Sequence, residues 1–122
     1  MFVLLLLLLL ALSLAAGSAP FVRQPHAKCN AHDHRIYKAK GHTFPVLFRS
    51  FGGLTVSKSA FEARIMRETA LSAPCASCYG DSFICGYDRC FWSCRNAGTT
   101  CDACLHSKGC MAATEACTGF PQ

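Results

Sequence analysis

Residues 75–117 read CASCYGDSFICGYDRCFWSCRNAGTTCDACLHSKGCMAATEAC, and nine of the chain's ten cysteines stand in this stretch. Only Cys29 lies outside it. An even number of cysteines in so short a chain reads as a disulfide framework, because a small core cannot by itself offset the conformational entropy of folding. Bridges worth roughly 2 to 4 kcal/mol each rival the whole net stability of an ordinary domain, so covalent closure is expected to dominate. Within the stretch, Cys90 and Cys94 are four apart, a spacing that points two sulfurs to one side of a helix. Residues 111–115 are rich in helix formers and follow the Lys108-Gly109 break, so they predict another short helix. No Cys-x-Cys and no adjacent cysteines occur, which argues against a scaffold with a bridged strand beside a bridged helix. The expected fold class is small and disulfide-rich: short helices and loops stapled by about five disulfides among Cys29, Cys75, Cys78, Cys85, Cys90, Cys94, Cys101, Cys104, Cys110 and Cys117. Cys29 has no local partner and is expected to reach into the carboxyl half. The spacing leaves the rest of the connectivity open.

Working outward, residues 3–12 form an unbroken apolar run that ends in small residues at Ala15, Ala16, Gly17, Ser18 and Ala19. This pattern predicts a cleavable signal peptide over residues 1–19, cut after Gly17 or Ala19, and hence a secreted protein. No later apolar run approaches the roughly 18 residues that span a bilayer, so stable membrane insertion is not expected.

Charge divides the remainder. Residues 18–67 carry nine Lys and Arg against Asp33 and Glu62, a balance of +7, while residues 68–122 carry Arg89, Arg95 and Lys108 against five acidic residues, a balance of −2. The net of +5 therefore describes a basic arm or propeptide (20–67) joined to a mildly acidic cysteine-rich domain (68–122). Arg64-Ile65-Met66-Arg67 has the Arg-x-x-Arg form of furin-like processing sites and falls at that boundary.

Within the arm, residues 44–51 are apolar and β-prone, and Gly52-Gly53 offers a turn into residues 54–56, which predicts a short β-hairpin. Ser59-Ala60-Phe61-Glu62 has the form of a capping box. A helix of about three turns is expected to follow through Leu71, with Phe61 and Ile65 on one face and Pro74 stopping it.

Several constellations invite chemical readings. Cys75-x-x-Cys78 and Cys101-x-x-Cys104 have the spacing of a four-thiolate zinc site, but an exported chain pairs such thiols with one another, and no metal or cofactor is expected. The same pairs begin a weak echo at an offset of 26 residues (75, 78, 85, 90 against 101, 104, 110, 117). His26, His32, His34 and His42 cluster near Cys29 and Asp33, a composition able to take copper or zinc, or to gain charge as pH falls. Cys29-Asn30-Ala31-His32-Asp33, with Tyr37, resembles the Cys-Asn-x-His-Asp signature of secreted phospholipases A2 over about five residues. That resemblance implies His32 as general base and Asp33 as calcium ligand. Too little chain precedes it for that family's calcium loop, and no other catalytic constellation is recognisable, so no enzyme is expected.

The functional expectation is a secreted ligand, hormone-like or toxin-like, that acts as a monomer on an extracellular receptor or ion channel. Nothing calls for a nucleic-acid partner. Tyr87, Arg89, Phe91 and Trp92 form the candidate contact patch, since Trp, Tyr and Arg dominate interface hot spots. A host-defence protein acting on membranes is the alternative, because the chain with its arm retained is cationic, and a phospholipase A2-like hydrolase comes last.

Overall fold

The computed structural model describes residues 26–51, 57–95 and 98–122. The expected leader and the Gly52-Gly53 turn lie outside them. The described residues form α1 (Ala31–Lys40), a 3-10 turn (Gly41–Thr43), α2 (Phe44–Phe51), α3 (Lys58–Thr69), α4 (Ala73–Cys90), α5 (Thr99–Ser107) and α6 (Cys110–Thr118), with no strand among them. The chain is thus small, mostly helical and compact, and all ten cysteines are joined in five disulfides.

The hairpin expectation fails at Phe44–Phe51, which is helix. Phe44 and Phe51 are buried and Leu47 and Phe48 half-buried, while Pro45, Val46, Arg49 and Ser50 are exposed. Apolar positions at i, i+3, i+4 and i+7 make a helical stripe, and burial along it overrides the β preference of the aromatic residues. Pro45 sits in the first turn, where no backbone donor is needed.

The α3 expectation holds, with shifted ends. Ser57, two residues before the expected cap, accepts from Ala60 N (3.2 Å). Phe61 and Ile65 are buried as expected, each worth roughly 1.5 to 3 kcal/mol if fully removed from water. The helix stops at Thr69 because Ala70 turns left-handed (φ 62°). Pro74 does not stop α3; it stands in the first turn of α4, behind the N-cap Ser72.

Helix α4 is the spine, with α3 against it on one side and α5 and α6 on the other. Four disulfides cross from α4 and its end to α5 and α6: Cys78–Cys117, Cys85–Cys110, Cys90–Cys104 and Cys94–Cys101, with sequence separations falling 39, 25, 14 and 7. They are nested like rungs of a ladder. Three members of each half of the 26-residue echo therefore face each other in opposite directions, Cys78, Cys85 and Cys90 against Cys117, Cys110 and Cys104, while Cys75 and Cys101 pair outside it. Gly109 (φ 78°) supplies the left-handed turn that lets α6 follow α5 after a single break.

The apolar core lies in the other half. Phe44, Phe51, Phe61, Ile65, Leu71, Ala76, Tyr79 and Phe120 form one buried cluster with Cys29 and Cys75. Phe120 closes it from the carboxyl end: its ring stacks on Tyr37 (4.3 Å between centroids), and Tyr37 Oη donates to the Pro121 carbonyl (2.7 Å).

Candidate functional site

Between α2 and the α4–α6 hairpin runs an open cleft of about 930 Å³. It exists because α2 meets α4 through rings and not through backbone approach. Phe48 packs edge-on against Tyr79 (4.7 Å) and Phe44 does the same (6.0 Å), which leaves space beside them toward α5. One wall is a stripe of α4, namely Tyr79, Ser82, Phe83, Gly86 and Tyr87, at helical spacings of three and four. Phe91 and Cys94 carry the stripe past the helix end, where Cys94 N still donates to Cys90 O (2.8 Å). Leu105, Met111 and Thr114 extend this wall onto α5 and α6, Phe44, Pro45 and Phe48 of α2 face it, and Arg49 of α2 pairs with Asp102 of α5 across the mouth.

Tyr79 is the unusual member. It is only 6% exposed, and its hydroxyl completes no hydrogen bond among the described residues. Burial holds its phenol well above the ordinary tyrosine value, and the nearby Gln122 side chain pulls weakly the other way without completing a bond of normal geometry. Gln122 Nε2 is already donating to the Phe120 carbonyl (3.0 Å).

The contact patch foreseen at the hairpin tip is partly gathered. Tyr87, Phe91 and Trp92 make a chain of edge-on rings (5.6 and 5.1 Å), and the Arg95 guanidinium lies over the Trp92 ring at 5.4 Å. Tyr87 is 45% and Trp92 76% exposed. Arg89 turns away, donating to the Lys108 carbonyl (3.1 Å) at the α5–α6 break. Arg95 takes the place in the cluster that the sequence reading gave to Arg89.

His32 and Asp33 stand at a different place, a joint between the two halves. Asp33 is fully buried, and Asn30 and Asp33 form a reciprocal capping box at the start of α1. The same carboxylate serves α4 as well: Oδ1 accepts from Ser72 N (2.7 Å), and Oδ2 accepts from Ser72 Oγ (2.6 Å) and from Asn30 N (2.9 Å). One side chain thus ties two helix N-termini, where negative charge is favoured by the unpaired amides and the helix dipoles. His32 Nε2 lies 3.0 Å from the Ala70 carbonyl, and Cys29–Cys75 closes the joint covalently. Neither His32 nor Asp33 lines the cleft.

The remaining motifs are dispersed. Cys75, Cys78, Cys101 and Cys104 each pair with a different cysteine outside their own motif. Among the described residues, the grouping of potential metal ligands is Cys29, Asp33 and Cys75, whose two sulfurs are bonded to each other. It includes none of the four clustered histidines. Arg64 and Arg67 are exposed on α3; Arg64 lies over the Phe51 ring at 4.5 Å, and Ile65 between them is fully buried.

No protein-family model, curated protein or solved structure matches the chain. The fold and the side chains it exposes therefore carry the functional reading alone.

Proposed function

We propose that the chain is an extracellular binding protein without catalytic activity, which acts on a receptor or ion channel through the aromatic tip of its hairpin. The observation that carries this reading is Trp92, 76% exposed on a segment bracketed by Cys90–Cys104 and Cys94–Cys101. A tip locked in this way loses little entropy on association, and Trp, Tyr and Arg are the side chains that dominate interface energies. Five disulfides favour an oxidising compartment, in agreement with the leader read from the sequence. Among the described residues no helix is long and apolar enough to cross a membrane.

Labelled protein should bind saturably to membranes from tissues of the producing organism. Trp92→Ala should weaken that binding about tenfold or more while leaving the melting temperature unchanged. Equal binding by parent and variant would overturn the reading. The host-defence alternative is favoured by Cys29–Cys75, which keeps the basic half attached, and by the Arg95–Trp92 pair, a combination suited to anionic membrane surfaces. Dye release from phosphatidylglycerol vesicles separates the two. Calcium-dependent fatty-acid release is not expected, because both Asp33 oxygens already accept hydrogen bonds from Ser72 and Asn30. Release that disappears in a folded His32→Gln variant would contradict this.

A further inference from the structure

We propose that the cleft is a binding site for a single-chain anionic amphiphile, a fatty-acid carboxylate, with its chain along the α4 stripe and its headgroup at the Tyr79 end. This inference concerns a different site from the exposed Trp92 tip and stands apart from the receptor reading. The cleft's volume of about 930 Å³ lies at the upper end of the roughly 300 to 1,000 Å³ typical of small-molecule pockets. Its walls are aromatic and aliphatic, as an acyl chain requires. From Tyr79 to Tyr87 the stripe covers about 12 Å of helix, room for a chain of roughly ten carbons. The extension through Phe91 to Cys94 admits longer ones.

The two ends differ in how their polar groups are engaged: at the Cys94 end Arg95 lies over the Trp92 ring and Arg49 pairs with Asp102, whereas Lys38, His42 and the Tyr79 hydroxyl at the other end have no such partners among the described residues. Tyr79 directly follows Cys78 of the Cys78–Cys117 rung and lines the cleft together with Lys38, His42, Pro121 and Gln122. Lys38 and His42, four residues apart, have no ion-pair partner among the described residues. The Tyr79 hydroxyl is buried and unsatisfied, a condition that native structures resolve with a partner. With the Gln122 side chain moved off the hydroxyl, a carboxylate there accepts from the phenol and sits beside the Lys38 ammonium and the His42 imidazole, so charge and hydrogen bonding are completed by the same ligand. Among the described residues lining the cleft, Asp102 has the one carboxylate side chain, and Arg49 neutralises it. That Arg49–Asp102 pair is half-exposed on both sides and of the kind that contributes little to stability, so it yields readily to a ligand entering the mouth.

The test is fluorescence titration of the full, oxidised protein with cis-parinarate, followed by displacement with tetradecanoate, its methyl ester and tetradecanol. Saturable 1:1 binding is expected, with tetradecanoate displacing the probe at least tenfold better than the ester or the alcohol. Tyr79→Phe, which keeps the ring packing, should weaken parinarate binding about five- to tenfold, and Lys38→Gln about three- to tenfold. Trp92→Ala should leave it unchanged, so that failure of the receptor reading and failure of this one are told apart. Absence of binding, equal displacement by acid and ester, or undiminished binding in a folded Tyr79→Phe/Lys38→Gln double variant would each overturn the proposal. Circular dichroism before titration establishes that every variant is folded.

Discussion

The two halves of this molecule are held together by different physics. Residues 26–71 contribute most of the buried aromatic and aliphatic side chains, from Phe44 through Leu71, and are joined to the rest by a single disulfide, Cys29–Cys75. In α5 and α6 the buried positions are Cys101, Cys110, Thr114 and Thr118, with no large apolar side chain, and four nested bridges bind this part to α4. The expectation that covalent closure dominates therefore describes the hairpin; the amino-terminal half also has a core. The comparison teaches that cysteine density reports where burial is missing. Nesting adds a second lesson. Once Cys94–Cys101 has closed, the further rungs add 7, 11 and 14 residues to the closed loop in turn (from separations of 7, 14, 25 and 39), whereas Cys29–Cys75 closes a 46-residue segment that no other bridge shortens.

The largest expected effect breaks the comparison at that bridge. The double variant Cys29→Ala/Cys75→Ala should lose about 4 kcal/mol of unfolding free energy, against about 2 kcal/mol for Cys94→Ala/Cys101→Ala, from the loop-closure entropy of 46 and 7 residues. Guanidinium denaturation of the two variants measures the difference. Equal losses would mean that the halves are not stabilised in different ways.

Next in size is Asp33→Ala. It removes a buried carboxylate that accepts three hydrogen bonds and leaves Asn30 N and Ser72 N without their acceptor, for a loss of about 3 kcal/mol. Hydrogen exchange should quicken together at the starts of α1 and α4. If only α1 responds, Asp33 is a local cap and not a joint.

Much of this was legible in the residues, for reasons that differ by element. Helix α3 announced itself through Phe61 and Ile65, because i, i+4 spacing of apolar residues survives a misplaced cap. The pairing of Cys29 with the carboxyl half followed from its isolation. Phe44–Phe51 misled because aromatic residues suit strands and helices alike, and only the period distinguishes them; counting Phe44, Phe48 and Phe51 against the exposed Val46 would have given a helix. The cleft was hidden for a different reason. Its α4 stripe from Tyr79 to Cys94 is present in the sequence at helical period, but the facing wall comes from α2, more than thirty residues earlier, and nothing local says the two meet. The role of Asp33 was equally out of reach, since its partner Ser72 is 39 residues away.

The smallest expected effect sharpens the comparison where the halves meet. Ala70 holds a left-handed conformation that strains an L side chain by roughly 1 to 2 kcal/mol, partly offset in Gly by the looser unfolded chain. Ala70→Gly should therefore stabilise the protein by about 0.5 to 1 kcal/mol in thermal melts. Destabilisation would show that the Ala70 methyl is needed for packing at the α3–α4 turn.

The central claim, a nested ladder plus one long-range tie, is tested most directly by trypsin digestion of the oxidised protein and tandem mass spectrometry without reduction, in which fragmentation between the cysteines of each linked peptide reads the order of the rungs. Cleavage after Lys28, Arg35, Arg67, Arg89, Arg95 and Lys108 separates the cysteines onto five peptides. The account predicts two linked species: peptide 90–95 joined twice to 96–108, and peptide 68–89 joined once to 29–35 and twice to 109–122. Any bridge between these two groups, or a bridge internal to 68–89, would contradict it.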